Sequence, residues 1–234
     1  MKKETAQALL KLSEEEYDTY ATEFSDTRKF FWRELEFLKE YVHKESRVLD
    51  IGCGNGRLVD MFEGMEINYT GIDSSKELIK IAKKERGSKG SFFHANALEL
   101  PFDDGTFDTV FSIAVLHHVP SEAYRAQFVS EIHRVLKPGG TCVVTTWNIL
   151  QWKFAKAHAL HTTKILLGNS KLDFGDLMLT FGKEKRKRYV HALSKSSVRK
   201  LFKRNSFVDI SVQEVQRKSG YANLVVVANK SHTH

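Results

Sequence analysis

Cysteine is scarce here: Cys53 and Cys142 are the only two, and neither sits in a CxxC or Cys/His ligand spacing. That excludes a disulfide framework and a thiolate metal site, and leaves both as reduced packing residues with no metal implied. Only three prolines occur and no Pro/Gly/Ser-rich stretch, so no linker announces a second domain. No run approaches the roughly eighteen uncharged apolar residues that span a bilayer. The start, MKKETAQALLKLSEEE, turns acidic before a signal-peptide core can form, which points to the cytoplasm and to no membrane. Acid is nearly missing from the last third: residues 151–234 hold 5 Asp+Glu against 17 Lys+Arg, whereas residues 1–150 hold 24 against 19. Clustered cations release counterions from phosphates, so this imbalance suggests a polyanionic partner, with a merely solvated surface as the plain alternative.

What is present suffices for one core: 41% of the residues are apolar, in a length that suits a single α/β domain with insertions. The first 45 residues read as helical. Ser13 offers a cap with Glu16 three positions on, and Phe31, Leu35, Leu38 and Val42 recur at helical spacing. From residue 46 to 147, β-type runs (RVLDI, INYTGID, SFFHANA, FDTVFSIAVL, TCVVTTW) alternate with helical segments (GRLVDMF, SSKELIKIAKKE and a helix from Ser121 carrying Phe128, Ile132, Val135 and Leu136 on one face). Such alternation predicts βαβ units whose parallel strands are buried on both faces. Residues 148–190 read as a mainly helical insertion, a cap over the substrate, ending near KEKRKR. Residues 191–230 read as a last helix, SKSSVRKLFKRN, and two strands joined by a short turn. The expectation is a doubly wound, seven-stranded α/β sheet, mostly parallel with a C-terminal antiparallel hairpin, a helical N-terminal segment and a helical insertion.

The stretch VLDIGCGNG places Asp50 at the end of the first run, followed by Gly52, Gly54 and Gly56. In open α/β sheets the first strand leads into the ligand crevice, and glycines let the backbone turn and a ligand approach. The spacing is neither the G-x-G-x-x-G of a dinucleotide fingerprint nor a P-loop. A carboxylate at Asp50 repels a pyrophosphate and attracts a positively charged amino group. Asp73, closing the second run, suits the two hydroxyls of a ribose. S-adenosylmethionine carries both ends. The bland alternative has Asp50 capping the loop and Asp73 the helix after Ser74.

At these residues the sequence resembles the class I S-adenosylmethionine-dependent methyltransferases, with VLDIGCGNG, GIDSS and LKPGG matching three of their motifs. The resemblance implies a cofactor held by Tyr17, Arg28, Asp50, Gly52, Cys53, Gly54, Asp73, Ser74, Asn96, Ala97, Leu98, Ile113, Ala114 and His117. Asn96 stands where the family usually has an acid for the adenine amino group, and its amide oxygen is the weaker acceptor. YDTYATEFSDTRKFFW, RYVHALSKSSVRKLF and RKSGYANLVVVA resemble the tRNA wobble-uridine 5-carboxymethyl methyltransferases, which implies tRNA as substrate and Arg28, His117, Arg188, Tyr189 and His191 near the acceptor. Eukaryotic relatives work with a small zinc-ribbon activator. His117 or His118 is open as a general base or as a packing residue, and Trp147 and Trp152 as base-stacking or core residues. A small-molecule methyltransferase and a non-catalytic RNA-binding module on the same fold are the alternatives. A dehydrogenase fits worst, since its loop would not begin with Asp50.

Overall fold

The computed structural model describes residues 1–29, 32–181, 186–216 and 222–232. Among the described residues nine strands in chain order, β1 (Arg47–Ile51), β2 (Asn68–Asp73), β3 (Ser91–His94), β4 (Phe107–Ile113), β5 (Leu136–Trp147), β6 (Asp176–Phe181), β7 (Arg186–His191), β8 (Phe207–Gln216) and β9 (Ala222–Lys230), form two sheets. The large one runs β3-β2-β1-β4-β5-β9-β8, and β6 and β7 pair separately. Strands β1 to β5 are parallel to one another, while β9 is antiparallel to both β5 and β8. This is the expected seven-stranded sheet with its antiparallel last pair. The chain builds outward from β1 to β3, then returns to lay β4 on the other side of β1. Its switch point, where ligands bind in such sheets, is therefore the carboxyl end of β1 and β4.

Alternation along RVLDI explains the two-sided core. Leu49 and Ile51 face one layer, with Phe128 and Ile132 of helix α4 (Glu122–Val135) and Phe202 of α6 (Lys195–Arg204). Val48 faces the other, with Ile79 of α3 (Lys76–Arg86), Phe92 and Phe111. Serines start these helices: Ser75 accepts from Leu78 N (3.1 Å), Ser121 from Tyr124 N (3.2 Å), and Ser194 forms a capping box with Ser197.

The N-terminal segment folds as α1 (Lys3–Thr19), α2 (Ala21–Asp26) and a 3-10 stretch, Arg33–Tyr41. Ser13 lies inside α1 and caps nothing, because the helix already starts at Lys3 and its pattern continues unbroken; Phe31 lies outside the described residues. GRLVDMF tightens into a 3-10 stretch, Arg57–Phe62, after Gly56 in the left-handed region (φ 76°). The insertion holds helix α5 (Ala155–Leu166) and also the β6–β7 hairpin, a strand pair that a helical reading did not contain. Of KEKRKR, residues 183–185 lie outside the described residues, and Arg186–Arg188 are strand. Among the described residues no helix is long and apolar enough to cross a membrane.

Candidate functional site

A cavity of about 900 Å³ opens at the switch point. Its floor is the glycine loop after β1. Gly52 and Gly54 have φ of 75° and 57°, and a Cβ on Gly52 would fall 2.3 Å from Val115 Cγ2. One wall is the end of β2, where Asp73 is fixed by two backbone donors: Gly54 N to one carboxylate oxygen (2.9 Å) and Ser75 N to the other (2.8 Å). Each oxygen keeps a lone pair for a ligand hydroxyl. Burial raises the Asp73 pKa, and the two N–H groups pull it back. The rest of the lining includes small and apolar residues, Ala95, Ala97, Ile113 and Ala114. Ala114 takes a positive φ of 62°, held there because its N–H donates to both the carbonyl (3.1 Å) and the hydroxyl (2.9 Å) of Thr145. Glycine backbone, a prefixed carboxylate and an apolar slot are the features that S-adenosylmethionine requires at its methionine, ribose and adenine ends.

The roof comes from the N-terminal helices. Asp18 of α1 accepts from Ser75 Oγ (2.6 Å) and Glu77 N (3.1 Å), tying α1 to the start of α3, while Asn55 Nδ2 donates to Ser25 Oγ (3.0 Å) and to the Arg28 carbonyl (3.3 Å), tying α2 to the glycine loop. These ties hang Tyr17, Tyr20 and Phe24 as one aromatic cluster over the cavity, with centroids 5.4 Å (Tyr17–Tyr20) and 5.6 Å (Tyr17–Phe24) apart. Two arginines sit on it: Arg28 Cζ lies 4.3 Å from the Phe24 centroid, and Arg188 Cζ lies 4.9 Å from Tyr17 and 5.5 Å from Tyr20. Arg188 also donates to the Tyr20 hydroxyl. It reaches the cavity because β7 aims it there, and β7 is pinned by buried Asp176, which accepts from Tyr189 Oη (2.7 Å) and His191 Nδ1 (2.6 Å).

Ten of the expected positions line the cavity: Tyr17, Arg28, Gly52, Gly54, Asp73, Ser74, Ala97, Ile113, Ala114 and Arg188. Six do not. Asp50 turns under the loop, accepting from Tyr69 Oη (2.7 Å), and burial pushes its pKa up to about 7, so its carboxylate is no exposed attractor for a cationic ligand. Cys53 packs in the core beneath the loop. Asn96 spends its amide oxygen on Leu98 N (2.9 Å), and Leu98 itself joins the core. His191 is engaged by Asp176. His117 is fully buried, stacked on Trp147 at 4.4 Å, and takes the Trp147 N–H on Nδ1 (3.3 Å).

Its neighbour His118 faces the cavity instead. The Tyr189 carbonyl can only accept, so His118 Nδ1 carries the proton (2.9 Å) and Nε2 is left as acceptor toward the Tyr17 hydroxyl (3.4 Å). Burial lowers the His118 pKa to about 4 and holds that of His117 well below the usual imidazole value. Both rings are neutral, weak bases at physiological pH. Sequence reasoning also passed over Tyr20 and Phe24, although Tyr17, Tyr20 and Phe24 are spaced three and four apart, the interval that puts side chains on one helical side.

A family model described as a methyltransferase domain matches residues 49–144. Among curated relatives, a tRNA (carboxymethyluridine(34)-5-O)-methyltransferase of Arabidopsis thaliana is 37% identical over 131 residues, 56% of this chain and 31% of that protein. The chain covers between 24% and 60% of the length of this and two comparable relatives. Among solved structures, an S-adenosylmethionine-dependent methyltransferase of Methanosarcina mazei superposes with a TM-score of 0.70 at 24% identity, covering 86% of this chain and 99% of that one. A protein described as a candidate methyltransferase, solved in complex with the Haloferax volcanii Trm112 methyltransferase activator, gives 0.65 at 18% identity, covering 94% and 98%.

Proposed function

We propose that this chain, which has the fold and the matched core of the class I S-adenosylmethionine-dependent methyltransferases, methylates a carboxylate on tRNA, the carboxymethyl group of a modified wobble uridine. The observation that carries the reading is that Arg28 and Arg188 face the same cavity as Asp73 and the glycine loop, beside a histidine that is a poor base. An acceptor that had to lose a proton would need a base poised near neutrality. A carboxylate needs only to be held and aligned.

In this reading Gly52 and Gly54 receive the methionine end of the cofactor, Asp73 the ribose hydroxyls, and the slot between Ala97 and Ile113–Ala114 the adenine. S-adenosylmethionine, when bound, supplies a methyl group on a sulfonium that an ionised carboxylate can accept unaided. Arg188, held by the rings and hydroxyl of the roof, orients that carboxylate through its planar fork of donors. Because the guanidinium already shares itself with Tyr20, it aligns the acceptor without fully neutralising it. Tyr17 and His118 set the wall behind it, and the latched helices exclude water. Asp50, Cys53, Asn96, Leu98 and His117 support the loop and walls from below, and His191 acts through Asp176 on the aim of β7. A Trm112-type activator belongs to the same proposal, as does work in the cytoplasm.

The test is incubation with labelled S-adenosylmethionine and total tRNA, with and without a zinc-ribbon activator, followed by nucleoside analysis. Label in a base-labile ester on the wobble uridine is expected. Asp73→Ala should abolish both cofactor uptake and labelling, whereas Arg188→Ala should cut labelling far more than uptake. Label confined to small molecules, or equal losses of uptake and turnover in Arg188→Ala, would overturn the reading.

A further inference from the structure

Eight large apolar side chains are exposed among the described residues, and six of them, Leu150, Trp152, Leu160, Leu166, Leu167 and Phe174, fall between positions 150 and 174. They belong to the insertion, around helix α5. That helix is attached by its inner side only: Phe154 and Ala157 pack on Ile149, Leu177 and Val190, and His158 Nε2 bonds the Ile149 carbonyl (2.9 Å). No residue of α5 is buried. Trp152 is 89% exposed and Leu166 73%, values far from those of side chains that rest on a protein surface. Clustered exposure on this scale marks an interaction site rather than scattered surface residues.

Charge decides among occupants. Residues 150–174 contain Lys153, Lys156, Lys164 and Lys171 against a single acid, Asp173, which is already paired with the N-terminal amino group. Lys156 and Lys164 stand four residues before and after Leu160, so they flank it on the same side of the helix. A second copy of this chain would set lysine against lysine, since the one acid of the stretch is engaged by the N-terminus. RNA would satisfy the lysines and stack on Trp152, but it offers no apolar complement for four leucines and a phenylalanine. An anionic bilayer surface satisfies both: leucine, phenylalanine and tryptophan enter the headgroup boundary, and lysines lay their stems along them with the ammonium groups at the phosphates.

We propose that the outer side of α5, with Trp152 ahead of it, is a peripheral docking surface for anionic lipid. This proposal does not depend on the methyl acceptor, and the surface is separate from the cavity-lining residues. The docking is reversible, because one short helix with a few inserted side chains anchors weakly.

The full chain is mixed with sedimenting vesicles of phosphatidylcholine alone or of phosphatidylcholine with phosphatidylserine, while tryptophan emission is followed. Binding to the phosphatidylserine vesicles only, with a blue shift that disappears in Trp152→Ser, is expected. Each of Lys156→Gln and Lys164→Gln should weaken partitioning about fivefold, and Leu160→Ser with Leu167→Ser should remove it, while uptake of S-adenosylhomocysteine stays as in the parent. Equal binding to neutral and anionic vesicles, or none to either, overturns the proposal. So does a loss of tRNA affinity in the lysine variants with vesicle binding unchanged, which would assign the surface to RNA.

Discussion

Single residues divide the two acids that look equivalent in the sequence. Asp73 has backbone donors and a cavity in front of it; Asp50 has a tyrosine and a core around it. The physical consequence is a stability term that runs against that of the histidines. Asp50, raised from 3.8 to about 7, supports folding fully below its unfolded pKa and loses that support as pH rises through 7. His118, lowered from 6.5 to about 4, supports folding above 6.5 and loses it as pH falls toward 4. Asp50→Asn keeps an acceptor for Tyr69 and removes the buried charge. Its melting temperature should exceed the parent's most at pH 8, by the equivalent of about 4 kcal/mol at roughly 1.36 kcal/mol per pKa unit, and the gain should shrink toward pH 4. Thermal scans across pH check this, and a gain independent of pH would mean that Asp50 is not protonated in the folded state. Asp50 was legible as important from its place before the glycines. Its direction was not, because Tyr69 lies nineteen positions on and meets it only across β1 and β2.

Elements carry the next level. The glycine loop serves two purposes that the run Gly52, Gly54, Gly56 does not distinguish: the first two line the cavity, and the third lets the chain pass Phe92. A Cβ on Gly56 would lie 2.7 Å from Phe92 Cε1 and 3.2 Å from Ala82 Cβ, at a φ of 76°. Gly56→Ala should therefore cost about 1–2 kcal/mol for the left-handed backbone and about 1–3 kcal/mol for crowding. Gly64→Ala, with a φ of 83° and nothing within 4 Å, should cost the backbone part alone. Urea unfolding of the pair separates the two, and equal losses would show that Phe92 yields freely. The β6–β7 hairpin shows where reading by element failed. Its strand RKRYVH is too charged to read as a half-buried strand, yet Arg188 and Tyr189 are both buried because each finds its partner in another element.

At the scale of the whole molecule, the charge imbalance and the cavity belong together. The basic third includes β7, which feeds Arg188 into the roof, so one of its cations stands at the cavity itself. If tRNA is the substrate, its affinity should fall steeply with salt, by roughly 0.7–0.9 log units per phosphate contacted for each tenfold rise. Filter binding at several ionic strengths measures the slope, and a flat line would leave the basic third a solvated surface.

The sequence by itself determined the order of strands and helices that build the seven-stranded sheet, the serine starts of α3, α4 and α6, the crevice after β1 and the acid that closes β2, because periodicity, turn chemistry and glycine requirements act over a few neighbouring residues. Tertiary structure alone decided which side chains face the cavity. His118 rather than His117, and Asp73 rather than Asp50, are chosen by partners 71 and 19 positions away. A one-residue step along a strand or turn reverses a side chain's direction, and only the packing of distant segments fixes that step.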